Sequence, residues 1–121
     1  MGAASVAAAC TTPVKTVAKG QAMYGLIGKM TAQAGKRDEL AKILINGVAG
    51  MPGCLSYIIA NDPTDANVIW VTEAWESKAA HGASLSLPSV KDAITKGRPL
   101  ISAMSSVAET LPVGGHGLIA R

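Results

Sequence analysis

Residues 51–81 read MPGCLSYIIANDPTDANVIWVTEAWESKAAH, and this stretch decides the fold. Met51, Pro52 and Gly53 make a turn, because proline presets φ and glycine admits positive φ. Residues 54–60 are rich in β-branched and aromatic side chains and predict a strand. Residues 61–67, NDPTDAN, gather chain breakers into a loop. Residues 68–75 predict a second strand, and Ser77 stands where it can cap a following helix. The chemically versatile side chains concentrate here: Tyr57, Trp70, Glu73, Trp75 and His81.

Upstream, residues 24–30 alternate partly and predict a first strand. Gly25 and Gly28 weaken it and admit close approach of a ligand or another backbone. Gly35 ends a short turn, and a helix follows over residues 36–49. Its apolar face is Leu40, Ile43, Leu44, Gly47 and Val48. Asp38 and Glu39 suit its first turn, and Gly50 suits its C-terminal end. Downstream, residues 77–84 predict a short helix, and Pro88 fits the first position of the next. Val90, Ala93 and Ile94 form that helix's apolar side, which Leu100 and Ile101 would extend past an end or kink at Gly97-Arg98-Pro99. Residues 104–111 predict the last strand. The resulting order, β-α-β-β-α-β, is that of an α+β, ferredoxin-like fold with an antiparallel sheet and its helices on one face.

The chain of 121 residues divides into an extension over 1–22, one domain over 23–111 and a Gly-rich tail over 112–121. The extension lacks the basic segment that precedes the apolar run of a secretory signal. None of its runs reaches the roughly 20 apolar residues needed to span a bilayer. It reads as an arm lying on the domain or on a partner copy. A cytoplasmic protein is expected, with export through the extension as the alternative.

Hydrophobic residues make up 49% of the chain and mean hydropathy is +0.30, high for a domain with so little interior. The strand over 68–75 sharpens the point. Val68, Trp70, Thr72 and Ala74 share one face; Ile69, Val71, Glu73 and Trp75 share the other. Both faces are largely apolar, yet one layer of helices covers one face, and a solvated face should be polar. A homodimer packed sheet to sheet is expected. Net charge is +3, of which Lys15 and Lys19 supply two, and no basic stripe marks a nucleic-acid surface. There is no Phe, and Tyr24, Tyr57, Trp70 and Trp75 all fall in strands, so no base-stacking platform is evident. Cys10 and Cys54 have neither metal nor CxxC spacing. Cys54 reads as a small buried hydrophobe, and its pairing with Cys10 stays open. Gly114-Gly115-His116-Gly117 does not sit between a strand and a helix, so it is not a phosphate loop.

Glu73 and Trp75 share a strand face, and His81 follows on the adjoining helix. A carboxylate, an indole and an imidazole at one strand end make a polar corner in an apolar cleft, able to bind a phenolic hydroxyl and take its proton. His81 and Glu73 are the candidate catalytic residues. Imidazole titrates near neutrality, whereas a carboxylate needs burial to become a comparable base. Tyr57, Trp75 and Arg98 are the candidate substrate-binding residues. Each has a plainer reading: Trp75 as core, Tyr57 as a packed strand aromatic, Glu73 as a cap or ion pair, His81 and Arg98 as surface groups.

PGCLSYIIANDP, IWVTEAWES and the His-bearing helix after them resemble the antibiotic-biosynthesis monooxygenase family, and more narrowly its quinol-monooxygenase-like members. The resemblance covers roughly residues 23–111. It implies a dimer whose two sheets close an α+β barrel. It also implies oxidation of a quinol-like or polyphenolic molecule by O2 with no cofactor, neither flavin nor metal. Many relatives carry a His nine residues after the strand-end Trp; here that position is Ser84, and His81 lies one turn earlier, on the same helix face. The haem-degrading branch places a ligand His on the next helix, where residues 90–96 have none. Two alternatives remain: an isomerase or mutarotase acting on a small polar substrate, and a non-enzymatic dimeric small-molecule-binding protein.

Overall fold

The computed structural model describes residues 22–118. The expectation for the arm and the open question of a Cys10–Cys54 bond lie outside these residues; among the described residues Cys54 has no disulfide partner.

Four strands form one sheet in the order β2-β3-β1-β4. They are β1 (Tyr24–Ala32), β2 (Cys54–Asn61), β3 (Val68–Trp75) and β4 (Ile101–Thr110). All neighbouring pairs are antiparallel. Three helices connect them: α1 (Arg37–Gly47), α2 (Lys78–Ser84) and α3 (Pro88–Gly97). The chain is therefore an α+β, ferredoxin-like fold whose second crossover holds two helices.

The register sorts the sheet into two faces. One carries the cross-strand rows Cys54–Trp75–Tyr24, Tyr57–Glu73–Leu26–Glu109, Ile59–Val71–Gly28–Ser106 and Asn61–Ile69–Met30–Met104. The helices pack here, and Trp75, Leu40 and Ile69 are its largest fully buried side chains. The core has two clusters, one around Tyr24, Met51, Trp75 and Val90, the other around Ala32, Leu40, Ile69 and Val71. The opposite face carries Ile58–Thr72–Ile27–Ala108 and Ala60–Trp70–Lys29–Ser105.

Helix α1 packs on β1, β2 and β3, α2 on β3, and α3 on α1. Gly47 is where α1 and α3 come closest, since a Cβ there would collide with Ala93. Ser77 caps α2 as its position predicts, accepting a hydrogen bond from Ala80 N at 3.1 Å. Pro88 opens α3. Two of the shifts from the predicted bounds matter for the packing. Helix α1 ends at Gly47, so Gly50, at φ 70°, serves the turn into β2 instead of the helix end. Strand β4 starts three residues earlier than expected. Pro99 sits in a single 3-10 turn (Arg98–Leu100), after which Ile101 is already extended and pairs with Ala32. Leu100 and Ile101 therefore do not extend the apolar side of α3; they pack against the Leu40 cluster.

Candidate functional site

The helical layer stops short of β4. On the helix-facing side of that strand Met104 is 65% exposed. Along this uncovered strip lies a cleft of about 210 Å³. Leu26, Gly28, Met30, Val71, Met104 and Ser106 floor it, and Tyr57 and Glu73 stand at its inner end. Gly28 deepens the centre of the floor, because its missing side chain leaves open space: a Cβ there would meet nothing closer than Ser105 O at 3.7 Å. Lys29 lies along the same strand, but its ammonium sits on the opposite face, 5.6 Å from the centroid of the Trp70 ring. The cleft thus presents one carboxylate on a mostly apolar surface.

Glu73 is positioned by its neighbours. Trp75 Nε1 donates to Glu73 Oε1 at 2.9 Å, a contact set by their two-residue spacing on one strand face. His81 Nε2 lies 3.7 Å from the same oxygen. The imidazole is wedged between Tyr24 and Trp75, with ring centroids 5.3 and 5.5 Å away. Burial pushes the Glu73 carboxyl up from its ordinary value; the Trp75 hydrogen bond and the His81 charge pull part of that back. Side-chain exposure differs between the two acid–base groups, 9% for Glu73 and 22% for His81. Glu73 faces the cleft, and His81 links it to solvent.

Tyr57 is the cross-strand neighbour of Glu73. Burial, and next the Glu73 charge, push its phenol well up, so its hydroxyl stays a donor at every working pH. None of the hydrogen bonds described for this chain uses that hydroxyl. Behind His81 stands a group that sequence reasoning missed. Tyr24 Oη donates to Glu109 Oε2 at 2.7 Å, and Lys78 Nζ lies 3.5 Å from the same carboxylate oxygen. The hydrogen bond to Glu109, and then burial, push the Tyr24 phenol up to about 12. These residues come from β1, α2 and β4, 85 positions apart at the extreme, and no spacing rule joins them.

Four of the five predicted site residues come together, and the fifth does not. His81, Glu73, Tyr57 and Trp75 are neighbours. Trp75, expected as a cleft wall, is fully buried and reaches the cleft through its hydrogen bond to Glu73. Arg98 is exposed on the 3-10 turn beside the Ala32 end of β1, whereas Tyr24 and His81 lie at the other end. It does not line the cleft. Ser84, at the position where relatives carry His, is buried and donates to His81 O at 2.6 Å. Among the described residues no group of His, Cys, Asp and Glu side chains is arranged to hold a metal ion. No helix among them is long and apolar enough to cross a membrane.

Comparison with known proteins gives a consistent result. The family profile of antibiotic biosynthesis monooxygenase matches residues 23–96. A solved structure from Chloroflexus aurantiacus J-10-fl, provisionally described as an antibiotic biosynthesis monooxygenase, is 61% identical; the match covers 79% of this chain and 98% of that one, with a TM-score of 0.77. A protein of the same provisional description from Caulobacter crescentus CB15 shares the fold at 24% identity, 78% and 92% coverage and a TM-score of 0.70. Another, from Nitrosomonas europaea, does so at 11% identity, 76% and 91% coverage and a TM-score of 0.70. No curated protein matches the chain. With the profile spanning more than half of its length, and with a well-covered relative of high identity, the chain belongs to the antibiotic biosynthesis monooxygenase family.

Proposed function

We propose that this protein is a cofactor-independent monooxygenase that oxidises a quinol-like or polyphenolic small molecule with O2. The observation that carries the reading is a single raised carboxylate, Glu73, at the inner end of an apolar cleft, with a phenol donor beside it and an imidazole behind it. An electron-rich phenol is a poor reductant of O2 while neutral and a good one as its anion. The protein's task is then to remove one proton, exclude water and hold the ring.

In this mechanism Tyr57 donates a hydrogen bond to a substrate oxygen. Glu73 takes the hydroxyl proton, helped by a pKa that burial has moved toward neutrality. His81 passes that proton to solvent. The substrate anion gives an electron to O2, and the two radicals join in a carbon-bound peroxide. The peroxide takes a proton back from solvent, and loss of water, with the O–O bond and the hydrogen of that carbon broken, leaves one oxygen atom in the product as a carbonyl. Trp75 is a positioning residue that fixes the Glu73 carboxylate. The cleft's one charge is negative, so a neutral phenol is favoured over an anionic substrate.

The protein acts as a homodimer in this reading. On the sheet face that the helices leave open, Ile58 is 55% exposed beside half-buried Trp70 and Ile27. A second copy packed on this face would bury those side chains.

The test is oxygen consumption with a panel of dihydroxynaphthalenes and anthrones. Uptake that depends on Glu73 supports the reading. Binding without consumption would leave a small-molecule-binding protein in its place.

A further inference from the structure

Tyr57 is the one described residue that packs against both clusters of the core. It also lines two recesses of the surface. On one side is the 210 Å³ cleft. On the other is a hollow of about 480 Å³ under the edge strand β2, walled by Val48, Met51, Pro52, Cys54 and Leu55, with Glu76 as its charged member. Cys54 and Tyr57 lie on the same sheet face, and Tyr57 lines both recesses, so its phenol ring stands between them.

We propose that Tyr57 is a partition that ends the substrate cleft and sets how many fused rings the substrate can carry. The proposal rests on the reading of the cleft as a phenol site and adds the size of molecule it accepts. An enclosed apolar cavity of roughly 150 Å³ holds benzene. A cleft of 210 Å³ is then sized for one or two fused rings. A third ring in line with the first two meets Tyr57. Without the ring of Tyr57 the two recesses become continuous, and the apolar walls at Val48, Met51 and Leu55 accept the additional ring.

The experiment is calorimetric titration without oxygen, using naphthol and anthrol as probes. The proteins are the wild type and the variants Tyr57→Phe, Tyr57→Ala and Tyr57→Leu. The wild type and Tyr57→Phe bind naphthol more tightly, because both keep the ring. Tyr57→Ala reverses the order, with anthrol gaining at least about tenfold relative to naphthol as one more ring is buried. Thermal melting checks folding, and Tyr57→Leu, which keeps aliphatic packing against both clusters, serves if Tyr57→Ala does not fold. The same order in every folded variant overturns the proposal. So does a reversal in Tyr57→Phe, or a wild type that binds neither probe or binds both equally. Oxygen uptake is measured separately. A reversal without oxygen uptake leaves the partition standing and overturns the oxygenase reading; uptake without a reversal does the opposite.

Discussion

A carboxylate with 9% of its side chain exposed is costly to ionise, and the neighbours of Glu73 set how costly. Trp75 lowers that cost by donating to the charged form. Trp75→Phe keeps the packing and removes the donor, so the Glu73 pKa climbs further, and the acid limb of the pH–rate profile moves to higher pH. The linkage with stability follows from the same shift. The folded pKa is raised, so the folded protein holds this proton more tightly than the unfolded chain does. The contribution of Glu73 is most favourable below the ordinary carboxylate value and declines as pH rises from there to the raised value. Glu73→Gln removes that decline. In urea unfolding at about pH 4 and about pH 8, the variant gains on the wild type at the higher pH. Much at this scale was legible, because strand alternation puts Glu73 and Trp75 on one face and one short helix carries His81 to them. The rest was less so. Trp75 is covered by Met51, Leu87 and Val90, which makes the plainer, core reading of it the right one. The placing of Arg98 at the far end of the sheet depends on where α3 stops and β4 starts. The Tyr24–Glu109–Lys78 group depends on the β1–β4 register.

The β2–β3 connection shows how one element is held by another. Arg37, the first residue of α1, donates from Nη1 to the carbonyl oxygens of Asp62 at 3.2 Å, Asp65 at 2.8 Å and Val68 at 3.5 Å. Asp62 fastens the loop from inside: its Oδ1 accepts from Thr64 N and Asp65 N, each at 2.8 Å, and its Oδ2 accepts from Trp70 Nε1 at 2.8 Å. These bonds, the one from Trp70 first, hold the Asp62 carboxyl far below its usual range. The loop therefore keeps its shape in mildly acidic solution and loosens as pH falls through that lowered value. Arg37→Met removes the donor that the three carbonyls share. It should lower stability by about 1–3 kcal/mol, with faster hydrogen exchange at the amides of Asp62 and Val68. The breakers NDPTDAN predicted a loop, but nothing local said that a residue 25 positions upstream would clamp it. Strand β1 offers a second test. Gly28→Ala should leave the melting temperature within a few degrees of the wild type, since a Cβ there meets nothing closer than Ser105 O at 3.7 Å. It should weaken naphthol binding, and Gly28→Val more so, by raising the cleft floor.

For the whole molecule, one layer of helices leaves Ile58, Trp70 and Ile27 on the open sheet face, and the proposed dimer would pack through them. Light scattering at micromolar protein should give twice the chain mass. Ile58→Glu should give a monomer or an aggregate, because the new charge would be desolvated at the centre of the contact. A monomeric wild type would contradict it. The fold at this scale was legible from the order of its elements alone, since β-α-β-β-α-β with right-handed crossovers leaves few arrangements. The cleft was not, because it exists where the helices fail to cover β4, and coverage is a property of the packed whole. The claim that joins these scales is that Glu73 starts a cofactor-free oxygenation in that cleft. Its most direct test supplies isotopically labelled O2 to chelator-treated protein with a dihydroxynaphthalene and weighs the product by mass spectrometry. One labelled oxygen atom per product molecule is expected. Glu73→Gln, which keeps an acceptor for Trp75 Nε1, should lower the rate by about 10² to 10⁴-fold. An unlabelled product, or a variant within a few-fold of the wild type, would contradict the account.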